Sequence, residues 1–354
     1  MSDSPTDPNG AARPPRRSDP LVEQAMSWLA AQHPDLSGRR LALAAQMAAV
    51  ASKMLHDGAD LGQIKLVASA IKEVRHAYRV FNRFRGVRKA SIYGSARTPP
   101  DHPDYRAASE FGHLIAAQGW MAITGAGNGI MKAGHEGPKR EASFGLSINL
   151  PFETNANEYI LGDAKLINFR YFFTRKLMFV SHADAFAVFP GGFGTQDELF
   201  ESLTLIQTGK SPIVPIVLVE GEGGDYWRSW ETHIRHDLLR HGWISPEDID
   251  LYRVCATPQE AVDEILAFYR VYHSSRMVGP RLVLRLQHEI APVHLEALKD
   301  EFSPLLAEGG FEQSGMLDGE NAFPELPRLH FVHNRRHFGM LRRLINRLNT
   351  LEPA

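Results

Sequence analysis

The chain has 354 residues, a net charge of −2, a hydrophobic content of 44% and one cysteine, Cys255. That length provides for one large domain or two modest ones with a sizeable core. The charge balance gives no ground for nucleic-acid binding, and one cysteine excludes an internal disulfide or a cysteine-based zinc site. With no signal-peptide h-region and no apolar run long enough to cross a bilayer, a cytoplasmic protein without a membrane partner is expected.

Residues 1–19, rich in Pro, Ser, Asp and Arg, read as a disordered tail. Residues 20–84 form a helical extension: LVEQAMSWLAAQ, LALAAQMAAVASKML and LGQIKLVASAIKEVRHAYRVFNRF place apolar residues at helical spacing. From residue 85 the rhythm changes. KASIYGSA is a strand running into Gly94, and YRAASEFGHLIAAQG is an amphipathic helix closed by Gly119. WMAIT is a strand ending in GAGNG, IMKAGHEGPKRE a helix and FGLSINL a strand. After a loop over residues 151–162, KLINF reads as a strand, RYFFTRKLMFVSH as a helix and ADAFAVF as a strand entering the turn FPGGFGTQDE. Then follow helix TQDELFESLTLIQTG, strand PIVPIVLV, helix YWRSWETHIRHDLLRHG, strand LYRVCA and helix PQEAVDEILAFYRVY.

This alternation over residues 85–273 predicts an α/β fold, a Rossmann-like doubly wound parallel sheet with helices on both faces. Its ligand is expected beyond the carboxyl ends of the strands. Over residues 274–354, RLVLRLQ, VHLEALKDEFSPLLAEGG, FEQSGML, RLHFVHN and FGMLRRLINRLN suggest a small α+β C-terminal module of βαββα type.

Three glycine-rich turns follow predicted strands: Gly94 with Ser95, then Gly125, Gly127, Asn128 and Gly129, then Gly191, Gly192, Phe193, Gly194 and Thr195. Such turns bring backbone amides and a helix N-terminus towards an anion. Any one of them alone reads as simple chain reversal; three at strand ends can converge on one crevice. None is a Walker A motif. GAGNGI misses the dinucleotide fingerprint by one residue, and no acid stands at the expected distance beyond it.

FFTRKLMF together with PGGFGTQDE resembles the LOG ("Lonely Guy") family of nucleoside 5′-monophosphate phosphoribohydrolases, whose signature is PGGxGTxxE with an RK pair upstream. SIYGSART, TGAGNGIM and ESLTLIQTGKSPIVPIVL are similar to its bacterial branch; the resemblance covers about residues 85–270. It implies that Glu198 and Arg175 are catalytic and that residues 192–195 hold the 5′-phosphate. It also implies that Lys176 and Thr204 contact ligand, that the protein is a homodimer or higher homo-oligomer, and that no metal or organic cofactor is needed. Gln196 and Asp197 stand where Leu and Glu are commonest, at positions the pattern leaves variable. Gly94, Ser95, Gly125, Gly127, Asn128, Gly129 and Met131 are expected to line the nucleotide pocket.

The chemistry is consistent with those residue types. Breaking an N-glycosidic bond builds positive charge on the ribose, which a carboxylate near C1′ stabilises while orienting or deprotonating water. Without the signature, Glu198 reads as an acid satisfying a helix dipole and Arg175 as a surface ion pair. Lys176 reads equally as a phosphate ligand or as part of a solvated helix face. The expected activity is hydrolysis of a purine nucleoside 5′-monophosphate, AMP or an N6-modified AMP. The alternative is a non-catalytic nucleotide or molybdenum-cofactor carrier on the same fold.

Overall fold

The computed structural model of the chain describes residues 19–150 and 156–352; the expected tail over residues 1–19 falls almost wholly outside them, as does part of the loop over residues 151–162. The chain divides into two compact units, residues 1–72 and residues 73–354.

In the first unit, α1 (Pro20–Gln32) packs against α2 (Gly38–His56) and is followed by the start of α3 (Leu61–Phe81). Asp19 caps α1 by accepting from the Leu21 amide, satisfying a donor that the helix cannot use. Helix α2 buries Leu41, Ala45 and Ala49, a four-residue step that puts them on one face.

The second unit contains, in order, β1 (Lys89–Tyr93), α4 (Pro103–Ala117), β2 (Met121–Thr124), α5 (Ile130–Glu136), β3 (Ser143–Ile148), β4 (Leu166–Phe169), α6 (Phe172–Ser181), β5 (Ala185–Val188), α7 (Phe193–Gln207), β6 (Ile216–Val219), α8 (Tyr226–His233), β7 (Arg253–Cys255) and α9 (Pro258–Phe268). The seven strands form one parallel sheet in the order β4-β3-β2-β1-β5-β6-β7. The Rossmann-like doubly wound expectation therefore holds. Alternate residues serve opposite faces. Ala90, Ile92, Ala185 and Ala187 join the cluster under α4, α5 and α9, whereas Tyr93, Phe186 and Val188 join the larger cluster with Phe179 of α6 and Leu199 of α7. Burial on both faces explains why these strands read as continuous apolar runs.

The winding reverses between β1 and β5, and in such sheets the crevice beyond the carboxyl ends at the reversal is where ligands sit. The strand ends are tied there: Phe189 N donates to Tyr93 O at 2.8 Å and Ser95 N to Pro190 O at 3.1 Å.

A second, four-stranded sheet follows, made of β8 (Tyr272–Val278), β9 (Arg281–Leu286), β10 (Leu306–Ser314) and β11 (Arg328–His333) in the antiparallel order β10-β11-β9-β8. Helices α10 (Val293–Phe302) and α11 (Phe338–Leu348) accompany it. The module is ββαββα. The expected βαββα lacked β8 because AFYRVY continues the helical spacing of α9; the helix instead ends at Phe268, and Tyr272 enters the sheet opposite Leu286. Apolar residues of this sheet and of α11 belong to the same cluster as Phe186 and Leu199, so the module shares its core with the large sheet.

Candidate active site

The turn after β5 is the start of α7 itself. Gly192 is the N-cap and Phe193, Gly194 and Thr195 form the first turn, two residues earlier than the sequence pattern places the helix. The Thr195 and Gln196 amides both donate to Gly192 O, at 3.0 and 3.1 Å, while the Phe193 and Gly194 amides find no backbone acceptor among the described residues. A helix N-terminus leaves such donors for capping groups or anions. Space beside Gly192 and Gly194 is open, with nothing within 4 Å of a Cβ built on either.

The second turn locks onto the first. Gly129 has φ +61°, and a Cβ there would fall 2.3 Å from the Ser95 carbonyl oxygen, so a side chain is excluded both by conformation and by contact. Ile130 N donates to the same carbonyl at 3.0 Å. Gly125 serves a different purpose: a Cβ at that position would meet Arg175 Nη2 at 2.4 Å and Met131 Sδ at 2.5 Å. The bare backbone lets the guanidinium lie against the turn.

Behind the second turn stands a buried polar network that the sequence did not reveal. His135 Nε2 lies 3.1 Å from the Phe144 carbonyl and 3.0 Å from Thr124 Oγ1. A carbonyl only accepts, so Nε2 carries the proton and Nδ1 is left to accept from Asn157 Nδ2 at 3.3 Å. Burial pushes the imidazole down to about 4 and keeps it neutral. Asn157 Nδ2 also lies 3.1 and 3.0 Å from the carbonyls of Ala126 and Gly127, so its two hydrogens are shared among three acceptors around Ala126, which has φ +64°. HEG at residues 135–137 carried no recognisable motif, and Asn157 lies in a loop without pattern.

These elements enclose a cavity of about 890 Å³ lined by Gly94, Ser95, Gly125, Met131, Arg175, Gly191, Gly192, Phe193, Gly194, Thr195 and Glu198 among the expected residues. Gly127, Asn128 and Gly129 support its second turn without lining it. Lys176 stands behind Glu198, and Thr204 lies on the exposed side of α7. The structure adds Tyr93, Arg97, Ile148, Leu150, Phe172, Gln196, Asp197 and Tyr226. Tyr226 comes from a helix 35 residues beyond the turn it supports. Its hydroxyl donates to Gly191 O at 2.6 Å and accepts from Gln196 Nε2 at 2.7 Å, while Trp230 Nε1 holds Gln196 Oε1 at 3.0 Å.

Glu198 is buried at 8% exposure, and its Oε2 accepts no hydrogen bond among the described residues. Burial pushes its carboxyl up to about 7, against the opposing pull of Lys176 and Arg175. Arg175, the fourth residue of α6, donates from Nε to Leu146 O at 2.8 Å and lies 5.2 Å over the Phe179 ring, two contacts that orient its charge. Lys176 loses some basicity to burial, but Asp197, Glu201 and Glu198 more than restore it, so its ammonium is held above the ordinary lysine range.

A parallel sheet with an anion-ready helix end and a buried carboxyl in one cavity defines an α/β protein with a cavity suited to an anionic ligand. A family profile described as "Possible lysine decarboxylase" matches residues 119–265. A cytokinin riboside 5′-monophosphate phosphoribohydrolase of Mycobacterium tuberculosis is 32% identical over 158 residues, 44% of this chain and 81% of that protein. A protein of Oryza sativa named as a probable enzyme of the same kind is 29% identical over 156 residues, 42% of this chain and 62% of that protein. The molybdenum cofactor binding protein of Rippkaea orientalis aligns with a TM-score of 0.36 and 20% identity, over 51% of this chain and 96% of its own. The chain belongs to the LOG family. That description does not suit Lys176: Schiff-base lysines work with a lowered pKa, and this one is raised and ion-paired.

Proposed function

We propose that the protein hydrolyses the N-glycosidic bond of a purine nucleoside 5′-monophosphate, AMP or an N6-modified AMP, releasing free base and ribose 5-phosphate. The observation that carries this reading is the pairing on one helix of an open amide turn, at residues 192–195, with the buried, under-solvated carboxyl of Glu198 one turn further on. A phosphate on the turn puts the attached ribose beside Glu198. There a carboxylate stabilises an oxocarbenium-like ribose and takes a proton from the attacking water. Arg175, fixed against Gly125, supplies permanent positive charge for the phosphate or the departing base. Membership in a family whose curated members carry phosphoribohydrolase names supports the same reaction class.

The test is base release across a panel of nucleoside monophosphates, without added metal. AMP should yield adenine and ribose 5-phosphate. Adenosine should be far poorer, because charge-assisted hydrogen bonds worth about 1.5–3 kcal/mol each are lost with the phosphate. Tight nucleotide binding with no base released from any substrate would favour the carrier alternative. Equal kcat/KM for AMP and adenosine would make the turn purely structural.

A further inference from the structure

A second cavity, of about 660 Å³, opens at the far edge of the large sheet, by the amino end of β7 and the carboxyl end of α9, away from the strand ends that form the first. Its walls come from Tyr252 and Arg253 at β7, Glu264 and Phe268 of α9, and Arg342 of α11. Arg342 is 3% exposed and Tyr252 7%. The Arg342 guanidinium stacks 4.6 Å from the Phe268 ring, donates from Nη2 to Glu264 Oε1 at 2.7 Å and from Nε to Asn346 Oδ1 at 2.9 Å. Its Nη1 is buried and donates to nothing among the described residues, and the same is true of Tyr252 Oη.

Two orphaned polar atoms in one cavity are unusual, since buried donors are nearly always paired. Both can donate: a guanidinium has no acceptor, and burial with the Glu231 carboxylate keeps the Tyr252 phenol protonated. Glu231 is too far for a regular hydrogen bond but is the acceptor a ligand would compete with. The carboxylates lining the cavity are already engaged. Glu264 is shared between Arg342 and Arg253 (Nη1, 2.8 Å), Glu231 takes Arg235 at 3.0 Å, and Asp250 takes Arg343. Arg270, exposed at the rim, makes no ion pair among the described residues. The site thus presents unspent donors and a surplus cation, in a volume typical of small-molecule pockets.

We propose that this cavity binds a small oxyanion-bearing molecule, a phosphate ester or a carboxylate, with Arg342 Nη1 and Tyr252 Oη as its buried donors and Arg270 at its rim. Asn349 ties the floor of the site to the chain: its Oδ1 accepts from Val271 N and Tyr272 N, and its Nδ2 donates to Phe268 O. Glu264, shared by Arg253 of β7 and Arg342 of α11, joins those two elements to α9, so the walls of the cavity are fixed to one another before a ligand arrives.

Pyrophosphate and citrate serve as probes, titrated calorimetrically into the full chain carrying Gly192→Asp, which puts a carboxylate into the open phosphate turn of the first cavity. One equivalent of pyrophosphate should still bind. Tyr252→Phe, which deletes one hydroxyl, should weaken it about tenfold or more, as expected for a lost hydrogen bond to a charged group. Arg270→Ala should weaken it several-fold and flatten its salt dependence. Citrate binding with the same sensitivities identifies a carboxylate ligand; binding of pyrophosphate alone identifies a phosphate ester. Arg342→Met should abolish binding, and if that variant fails to fold, Tyr252→Phe decides. No heat from either probe, or binding that Tyr252→Phe and Arg270→Ala both leave unchanged, overturns the proposal.

Discussion

Lys176 Nζ donates to Asp197 Oδ2 at 2.8 Å and to Glu201 Oε2 at 2.6 Å, yet it stops 4.0 Å short of Glu198 Oε2. Two flanking acids on α7 hold the cation and keep it from closing on the third. Glu198 consequently remains dominated by burial, with its carboxyl near 7 instead of in the ordinary range. A carboxyl poised there is suited to exchange protons with water at neutral pH.

This arrangement sets the expected pH profile. If the ionised Glu198 is the working form, kcat/KM for AMP should rise with pH and level off above about 7. Lys176→Met removes a charge that favours the carboxylate, so the acidic limb should move to higher pH. Asp197→Asn removes a repelling charge and loosens the hold on Lys176, so the limb should move lower. Profiles for the three proteins, taken over pH 5–9 (a range of about two units either side of the limb), check both directions. Identical limbs would dissociate Glu198 from the rate.

The same shift has a stability consequence. Its folded-state pKa is about 7 against 4.5 for the ordinary carboxyl, so between those values the folded protein binds more protons than the unfolded chain. Stability falls as pH rises through that window, and above it the cost levels at about 3 kcal/mol. Glu198→Gln removes the titration. It should lose about 10²–10⁴-fold in kcat while AMP binding is retained, and its urea-unfolding stability should gain on the parent between pH 4.5 and 8. A Gln variant with normal turnover sinks the catalytic assignment. One that loses stability at pH 8 sinks the linkage.

Much of this was legible in the sequence because parallel strands, buried on both faces, announce themselves as apolar runs, and because the signature at residues 190–198 is local. FPGGFGTQDE puts the open amide turn and Glu198 within one helix, so nothing distant is needed to bring them together. Tyr226, His135 and Asn157 were illegible for the opposite reason. Each acts across the fold, on a carbonyl or loop far away in the chain, and a lone Tyr, His or Asn carries no spacing that says so. Strand β8 was lost because YRVY satisfies helical and strand patterns alike until Tyr272 finds Leu286.

Tyr226 gives a further test. Its hydroxyl draws the Gly191 carbonyl to itself and is backed by Gln196 and Trp230. Tyr226→Phe frees that carbonyl at the mouth of the turn proposed to hold phosphate. A net hydrogen bond of about 1 kcal/mol predicts a rise of about fivefold in KM for AMP with little change in kcat. Adenosine, lacking the phosphate, should be indifferent to the change. An equal effect on both substrates would mean that Tyr226 supports the fold and not the turn.

Two glycines distinguish the amide turn proposed to hold phosphate from the arginine's seat. A methyl at Gly192 meets nothing within 4 Å, so Gly192→Ala should leave thermal stability unchanged; it projects from the N-cap of α7 into the space assigned to the phosphate and should cost AMP affinity, measured by nucleotide binding. A methyl at Gly125 collides with Arg175 Nη2 and Met131 Sδ, both ends of flexible side chains. Gly125→Ala should therefore fold but displace the guanidinium, lowering kcat more than it raises KM, since a misplaced charge acts mainly in the transition state. The two variants should thus fail in different ways, one in binding and one in turnover. If Gly192→Ala binds AMP like the parent, the phosphate does not sit on the amides at the start of α7, and the site must be read from Arg175 outward instead.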